Sequence, residues 1–413
     1  MTAEKKIAIE YKRTEAGLLP LDWEVVQLGS LVKITSGASP SLFSFSGSGI
    51  PYFKVEQLNN AEKYLDAFDT PYLFKRGDTV PRLSVVFAKR GAAIALNKIR
   101  ILKEASFMDT NLMALTPQGG IECEYLYYAL DHIGLWKFAD TTSVPQINNK
   151  HINPIAFPLP PLAEQRDIAK ALSDVDTLLD RLSRLIEKKR AIKKGAMQEL
   201  LTGRRRIADF SGKWETKKLS EIGKTYGGLS GKVKADFGRG DSSYIPFMNI
   251  MNNPVIDPGY LEIVNIQSGE NQNRAHKGDL FFNGSSETPE EVGMCSVLLV
   301  EVPNLYLNSF CFGLRLNKKL KTNGLFFSYY FRSDAGRELI FSLAQGATRY
   351  NLSKTKFLEL KVPYPKPEEQ VAVANVLFDM DSEIRKLESQ LMKYQDIKQG
   401  MMQKLLTGKI RLI

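Results

Sequence analysis

The chain has 413 residues, 56 Lys and Arg against 46 Asp and Glu, a net charge of +10, and three cysteines. Cys123, Cys295 and Cys311 form no Cys-x-x-Cys pair, which argues against a disulfide framework or a cysteine zinc site. The most apolar stretch, Cys295 to Leu314, is broken by Glu301, Asn304 and Asn308, so it is not a membrane span.

The basic balance points to a polyanionic partner. No signal peptide opens the sequence, and the expected location is cytoplasmic and reducing. Residues 1–18, with Glu4, Lys5, Lys6, Glu10, Lys12, Arg13 and Glu15, read as a charged N-terminal arm.

A first globular region follows over 19–157. Ser84-Val85-Val86-Phe87-Ala88 is a predicted strand and Glu122 to Phe138 a predicted helix. Pro158-x-Pro160-Pro161 then opens a helical spacer, 158–203. Proline is disallowed inside a helix but suits the positions just before one. The register Ile168, Leu172, Val175, Leu179, Leu182, Ile186, Lys189, Lys193, Ala196, Leu200 alternates steps of four and three. That is a heptad seam, the signature of a coiled coil. About 38 residues span about 57 Å at 1.5 Å per residue. Gly203 suits the left-handed cap that ends such a helix.

A second globular region, 204–362, carries predicted strands at Leu280-Phe281-Phe282 and Ser296 to Val300, and a helical pattern at Leu325 to Leu343. After Pro363-x-Pro365-x-Pro367 comes a second spacer, 363–413. Its seam is Val373, Leu377, Met380, Ile384, Leu387, Leu391, Tyr394, Lys398, Met401, Leu405.

The two halves repeat. Glu164-Gln165 recurs as Glu369-Gln370, Asp174-x-Asp176 as Asp379-x-Asp381, and Leu200-Leu201-Thr202-Gly203 as Leu405-Leu406-Thr407-Gly408, all 205 positions apart. So long a period means a duplicated unit rather than a solenoid. The globular regions echo each other more faintly. Trp23 answers Trp214, Ile50-Pro51-Tyr52 answers Ile245-Pro246-Phe247, and Tyr127-Tyr128 answers Tyr329-Tyr330, with loops of unequal length between. The expected fold is therefore α+β: two pseudo-twofold-related mixed domains separated by two long antiparallel coiled-coil helices. Loops on such a scaffold are where binding residues usually sit.

The search for chemistry is mostly negative. His132, His151 and His276 share no ligand spacing. Gly227-Gly228-Leu229-Ser230-Gly231-Lys232 is one residue short of a phosphate loop, and Val233 replaces the Ser/Thr that would hold magnesium. Its glycines and lysine could still hold a phosphate through backbone N–H donors. No nucleophile–base constellation is readable, so a binding protein is expected rather than an enzyme. The run from Arg181 to Arg206, rich in Arg and Lys, marks a surface for nucleic acid or an acidic partner.

Taken together, Pro-Leu-Pro-Pro-Leu-Ala-Glu-Gln (158–165), Pro-Tyr-Pro-Lys-Pro-Glu-Glu-Gln (363–370), the two Leu-Leu-Thr-Gly helix ends, Thr35-Ser36-Gly37-Ala38-Ser39-Pro40 and Gly346 to Ser353 resemble the DNA-specificity subunit of type I restriction–modification systems. The resemblance implies two target-recognition domains, each reading one half of a bipartite double-stranded DNA site. It implies no catalytic site and no cofactor in this chain. Its partners would be two modification subunits, which use S-adenosylmethionine to methylate adenine, and two restriction subunits, which use ATP and magnesium. Lys75, Arg76, Lys232, Lys234, Arg239 and Arg349 are then candidates for phosphate contact. Ser39, Ser41, Ser44, Gln146, Asn148, Asn249, Asn252 and Asn253 are candidates for base readout. The alternative is a coiled-coil adaptor whose globular ends bind protein.

Overall fold

The computed structural model describes residues 10–42, 45–75, 77–141, 144–207, 210–346 and 349–412. The chain divides into two compact units: Met1–Ser183 with Gln390–Ile413, and Arg184–Ser389. Each of the two long helices, Leu162–Leu200 and Pro367–Leu405, contributes one part to each unit.

In the first unit a five-stranded sheet has the order Val32–Ser36, Leu112–Pro117, Val85–Ala88, Ile99–Leu102, Tyr64–Leu65. Its central strands Val85–Ala88 and Ile99–Leu102 are wholly buried, and the helix Cys123–Ile133 lays Tyr125, Leu126 and Leu130 across one face. That helix stops at Gly134, which lies in the left-handed region at φ +78°, so the helical pattern to Phe138 resolves into a helix and a separate 3-10 turn. Phe107–Met108, Phe45–Phe53 and Leu73–Phe74 form a second, three-stranded sheet. The predicted arm is in part structured: Tyr11–Thr14 and Gly17–Pro20 form a hairpin, and Leu19 enters the core.

The second unit repeats this plan. Its four-stranded sheet runs Gly223–Gly227, Cys311–Leu316, Leu280–Asn283, Cys295–Val297. Phe237–Ile245 pairs with Glu262–Val264 and with Leu305–Leu307 in a smaller sheet. The apolar run to Val300 yields a strand of only three residues. Leu298 N–H turns to the Asp279 carbonyl, and Val300 is exposed. The pattern from Leu325 to Leu343 is two helices, Gly324–Arg332 and Asp334–Phe341. Ser333 separates them, because its Oγ caps the second by accepting from Gly336 N–H.

Every predicted seam position from Ile168 to Ile186 and from Val373 to Leu391 is buried or half-buried, while Asp174, Thr177, Leu178 and Asp180 beside them are exposed. The burial is not only helix on helix. Ile168 and Leu172 join the first unit's core, and Val373 and Leu377 the second's. The helix ends are thus part of each globular unit.

Within each unit the two helices run antiparallel, and matched residues make matched contacts. In the first, Asp176 accepts from Tyr128 Oη at 2.6 Å and pairs with Lys398 at 2.7 Å. In the second, Asp381 accepts from Tyr329 Oη at 2.7 Å and pairs with Lys193. Lys189 pairs with Glu383 and Arg190 with Glu388. Lys189, Arg190 and Lys193 of the basic run are therefore paired with acidic residues of the opposite helix, and the predicted open basic surface is smaller than the sequence implies.

The Glu-Gln motif that starts each helix is a clamp. Glu164 accepts from Trp23 Nε1 at 3.0 Å and from Arg411 Nη2 at 2.8 Å. Glu369 accepts from Trp214 Nε1 at 3.0 Å and from Arg206 Nη2 at 2.6 Å. Gln165 holds Glu122 N–H and the Pro160 carbonyl, as Gln370 holds Asn323 N–H and the Pro365 carbonyl. Each arginine lies three residues after the glycine of a Leu-Leu-Thr-Gly helix end. Gly203 and Gly408 adopt φ +72° and +66° and turn the chain so that it can reach back.

Candidate nucleic-acid interface

In the first unit four loops meet at one end of the five-stranded sheet. Val32–Ser36 runs out into Gly37 to Ser41, and Val85–Ala88 into Lys89 to Gly91. Leu112–Pro117 is entered from Asp109 to Asn111. The antiparallel register sets Met113 opposite Ser36 and Leu112 opposite Ala88, which brings these ends together. Gly37 N–H donates to the Leu112 carbonyl and Lys89 N–H to the Asn111 carbonyl. A Cβ at Gly37 would stand 1.8 Å from the Asp109 carbonyl oxygen, so only glycine permits this approach. The fourth loop precedes the helix Asn149–Ile152: Gly91 N–H donates to Pro145 and Ile147 N–H to Lys89.

Among the predicted residues, Ser39 and Ser41 lie here, their hydroxyls 2.9 Å apart. Gln146 is exposed and bridges Arg90 through backbone bonds, and Asn148 is exposed beside it. Lys89 Nζ donates to Ser36 Oγ at 2.9 Å, and burial pushes its pKa below the usual lysine value. Arg90 is exposed. Sequence reasoning passed over Lys89 and Arg90, although a Lys-Arg-Gly run directly after a buried strand is a legible signal. Lys75 is exposed at the end of the Leu73–Phe74 strand. Ser44 and Arg76 lie outside the described residues.

The second unit gathers the corresponding loops. Gly228 N–H donates to the Cys311 carbonyl, Gly284 N–H to Phe310, and Leu352 N–H to Gly284. A Cβ at Gly228 would meet the Asn308 carbonyl oxygen at 2.0 Å, the same close approach that Gly37 makes. Where the first unit has Asn111, the second has Phe310. Its ring is 55% exposed, and the Arg349 guanidinium sits 5.4 Å from the ring centroid. In the sequence Phe310 stands in the run Phe310-Cys311-Phe312, which reads as core.

Four predicted residues are placed differently. Lys232 is no free phosphate ligand: its ammonium donates to the Asn265 carbonyl at 2.7 Å and to Glu270 at 2.6 Å, and it holds the Glu270 carboxyl below the usual range. Two of the loop's donors are also spent, since Leu229 N–H goes to Leu307 and Ser230 N–H to Gln272. Asn249 is fully buried, its Nδ2 donating to the Asp257 and Tyr260 carbonyls, so it ties a loop down and presents nothing to a base. Asn253 follows it, donating to the Asn249 carbonyl, while its own carbonyl accepts from Arg332. With exposed Asn252 it lines a cavity of about 500 Å³ beside Arg190, Lys193 and Arg385, apart from the Gly228 and Phe310 loops. Lys234 and Arg239 are exposed on the turn and ribbon at 234–245, Arg239 only 3.9 Å from Asp236.

Among the described residues, no group of three or more His, Cys, Asp and Glu is placed to hold a metal ion. No helix there is long and apolar enough to cross a membrane.

The model of the type I restriction modification DNA specificity domain matches residues 20–193 and 211–393. The chain is 27% identical to the putative type I restriction enzyme MjaX specificity subunit of Methanocaldococcus jannaschii, over 97% of both chains. It is 24% identical to the MjaVIII specificity subunit of the same organism, over 97% of this chain and 96% of that one. Among solved structures, the S subunit of a type I restriction–modification system from M. genitalium matches 98% of both chains with a TM-score of 0.57 at 17% identity. A chain from the structure titled for complex assembly and conformational transition of the type I system matches 95% of this chain, again with a TM-score of 0.57, at 16% identity. The two model matches span both halves of the duplication, and the chain belongs to the type I restriction–modification DNA specificity family, whose members are non-catalytic.

Proposed function

We propose that 19–157 and 204–362 are two target-recognition domains, each reading one half of a bipartite double-stranded DNA site, with 158–203 and 363–413 as helical spacers. One observation carries this reading. Each unit gathers the same loops at the same end of its sheet, on the same glycine contact, yet fills them with residues that mostly differ: Ala38, Asn111 and Gln146 in one, Leu229, Phe310 and Asn351 in the other. Alike scaffolds with unlike reading surfaces suit a target whose halves differ in sequence.

Lys75, Arg76, Arg90, Lys234 and Arg239 serve phosphate contact, which positions the domain without reading sequence. Exposed faces of the two helices dock two modification subunits and two restriction subunits. S-adenosylmethionine, and ATP with magnesium, belong to those partners, and adenine is the methylated base.

The test exchanges residues 1–157 for the same region of a relative in the assembled methyltransferase. Methylome sequencing should then show one half of the split motif changed and the other retained. A change in both halves, or in neither, refutes modular reading.

A further inference from the structure

Phe310 is held on a rigid turn. Its N–H donates to Asn308 Oδ1 at 2.9 Å and its carbonyl accepts from Gly284 N–H at 2.8 Å. Cys311 N–H donates to the Asn308 carbonyl, and Asn308 N–H to the Ile245 carbonyl. The backbone on both sides of Phe310 is therefore held in place. A large apolar side chain more than half in water loses the benefit of burial, and an exposed aromatic beside an arginine has the make-up of a binding hot spot. The Arg349 backbone is held too: the short hairpin Ala344–Gln345 with Tyr350–Leu352 flanks it, and Asn351 Nδ2 donates to its carbonyl at 3.2 Å.

We infer that Phe310 and Arg349 read adjacent base pairs in the major groove of the second half-site, Phe310 by contact with a thymine methyl group and Arg349 by bonds to the neighbouring guanine. The assignment rests on the DNA-reading function proposed above and names the bases. A phenyl ring has no donor or acceptor, so it can discriminate only by apolar contact. The thymine C5-methyl is the one apolar group that a base pair presents on the major-groove edge. A guanidinium matches guanine O6 and N7 with two parallel bonds. A phosphate contact by Arg349 alone would leave the exposed ring unused. In the first unit the same turn position holds Asn111, whose N–H is likewise bound to Asp109 Oδ1 at 2.5 Å, so the pair belongs to one half-site only.

The experiment uses the full chain assembled with its methyltransferase partner and a duplex carrying the motif found by methylome sequencing. Each thymine is replaced in turn by uracil, which removes only the methyl group, and binding is read by fluorescence anisotropy. In the wild type one replacement, in one half-site and beside a guanine, should weaken binding about fourfold, the worth of one buried methyl group. Phe310→Ala should abolish that sensitivity, Phe310→Leu should retain part of it, and Arg349→Gln should lose preference for the neighbouring guanine. Phe310 is exposed, so all three variants should melt like the wild type. The inference is overturned if no thymine is sensitive, if the half-site holds none, or if the sensitivity survives in Phe310→Ala. Failure of the underlying reading looks different: the wild-type complex would bind its motif no better than a scrambled duplex, and the inference would fall with it.

Discussion

Replacing Arg411 with Ala should loosen the first unit far more than a residue so near the end of the chain would lead one to expect. Its side chain is only 7% exposed, and it donates to Glu164, itself 2% exposed, through Nε at 2.6 Å and Nη2 at 2.8 Å. Without the guanidinium, Glu164 keeps only the indole N–H of Trp23. Leaving one buried charge unpaired costs about 3–5 kcal/mol. The second carboxylate on Arg411, Asp22, is half exposed and adds at most about 1 kcal/mol. The equivalent change in the second unit, Arg206→Ala, should cost toward the lower end of that range, because Arg206 is 23% exposed. Native-state amide hydrogen exchange, resolved to the start of the helix Leu162–Leu200, checks this, since it reports local opening free energies. Exchange there should accelerate by about two to four orders of magnitude in Arg411→Ala. The double variant with Glu164→Gln should recover most of the loss, because a neutral amide tolerates burial better than a lone carboxylate. A change below about 1 kcal/mol, or no recovery in the double variant, would refute the reasoning.

Two more outcomes are expected. Arg239→Ala should weaken binding evenly across DNA sequences and flatten the dependence of log affinity on log salt by about 0.9, as for one lost phosphate contact; an unchanged slope counts against Arg239. Burial, then the charge of Lys137, pushes the His132 pKa below its ordinary value. The unfolded chain then takes up the proton first, so the first unit should lose stability as pH falls below about 6.5 toward the lower folded pKa. His132→Asn should remove that part of the pH dependence in thermal melts.

The long helices were legible because periodicity and proline punctuation are local properties. The clamps were not, although every member stood in plain view. Trp23, Glu164 and Arg411 are separated by 141 and 247 positions, and nothing local joins an indole, a carboxylate and a guanidinium across such spans. The break at Ser333 was hidden because apolar residues continue on both sides while the cap is one hydroxyl. Asn249 was misread because an asparagine holding a loop together and one offered to a ligand look identical in sequence; burial alone separates them. Gly37 and Gly228 carried the best signal of the interface, as two glycines in matched turns whose neighbours mostly differ.

The clamps also set an order of events during synthesis. The second unit is one continuous stretch, Arg184–Ser389, and its arginine, Arg206, leaves the ribosome well before its glutamate, Glu369. The first unit needs Gln390–Ile413 to supply Lys398, Leu405 and Arg411. Domains usually mature in the order in which they emerge. Here the half translated first must wait for Leu405 and Arg411, with Glu164 short of its arginine, until the half translated second is already complete.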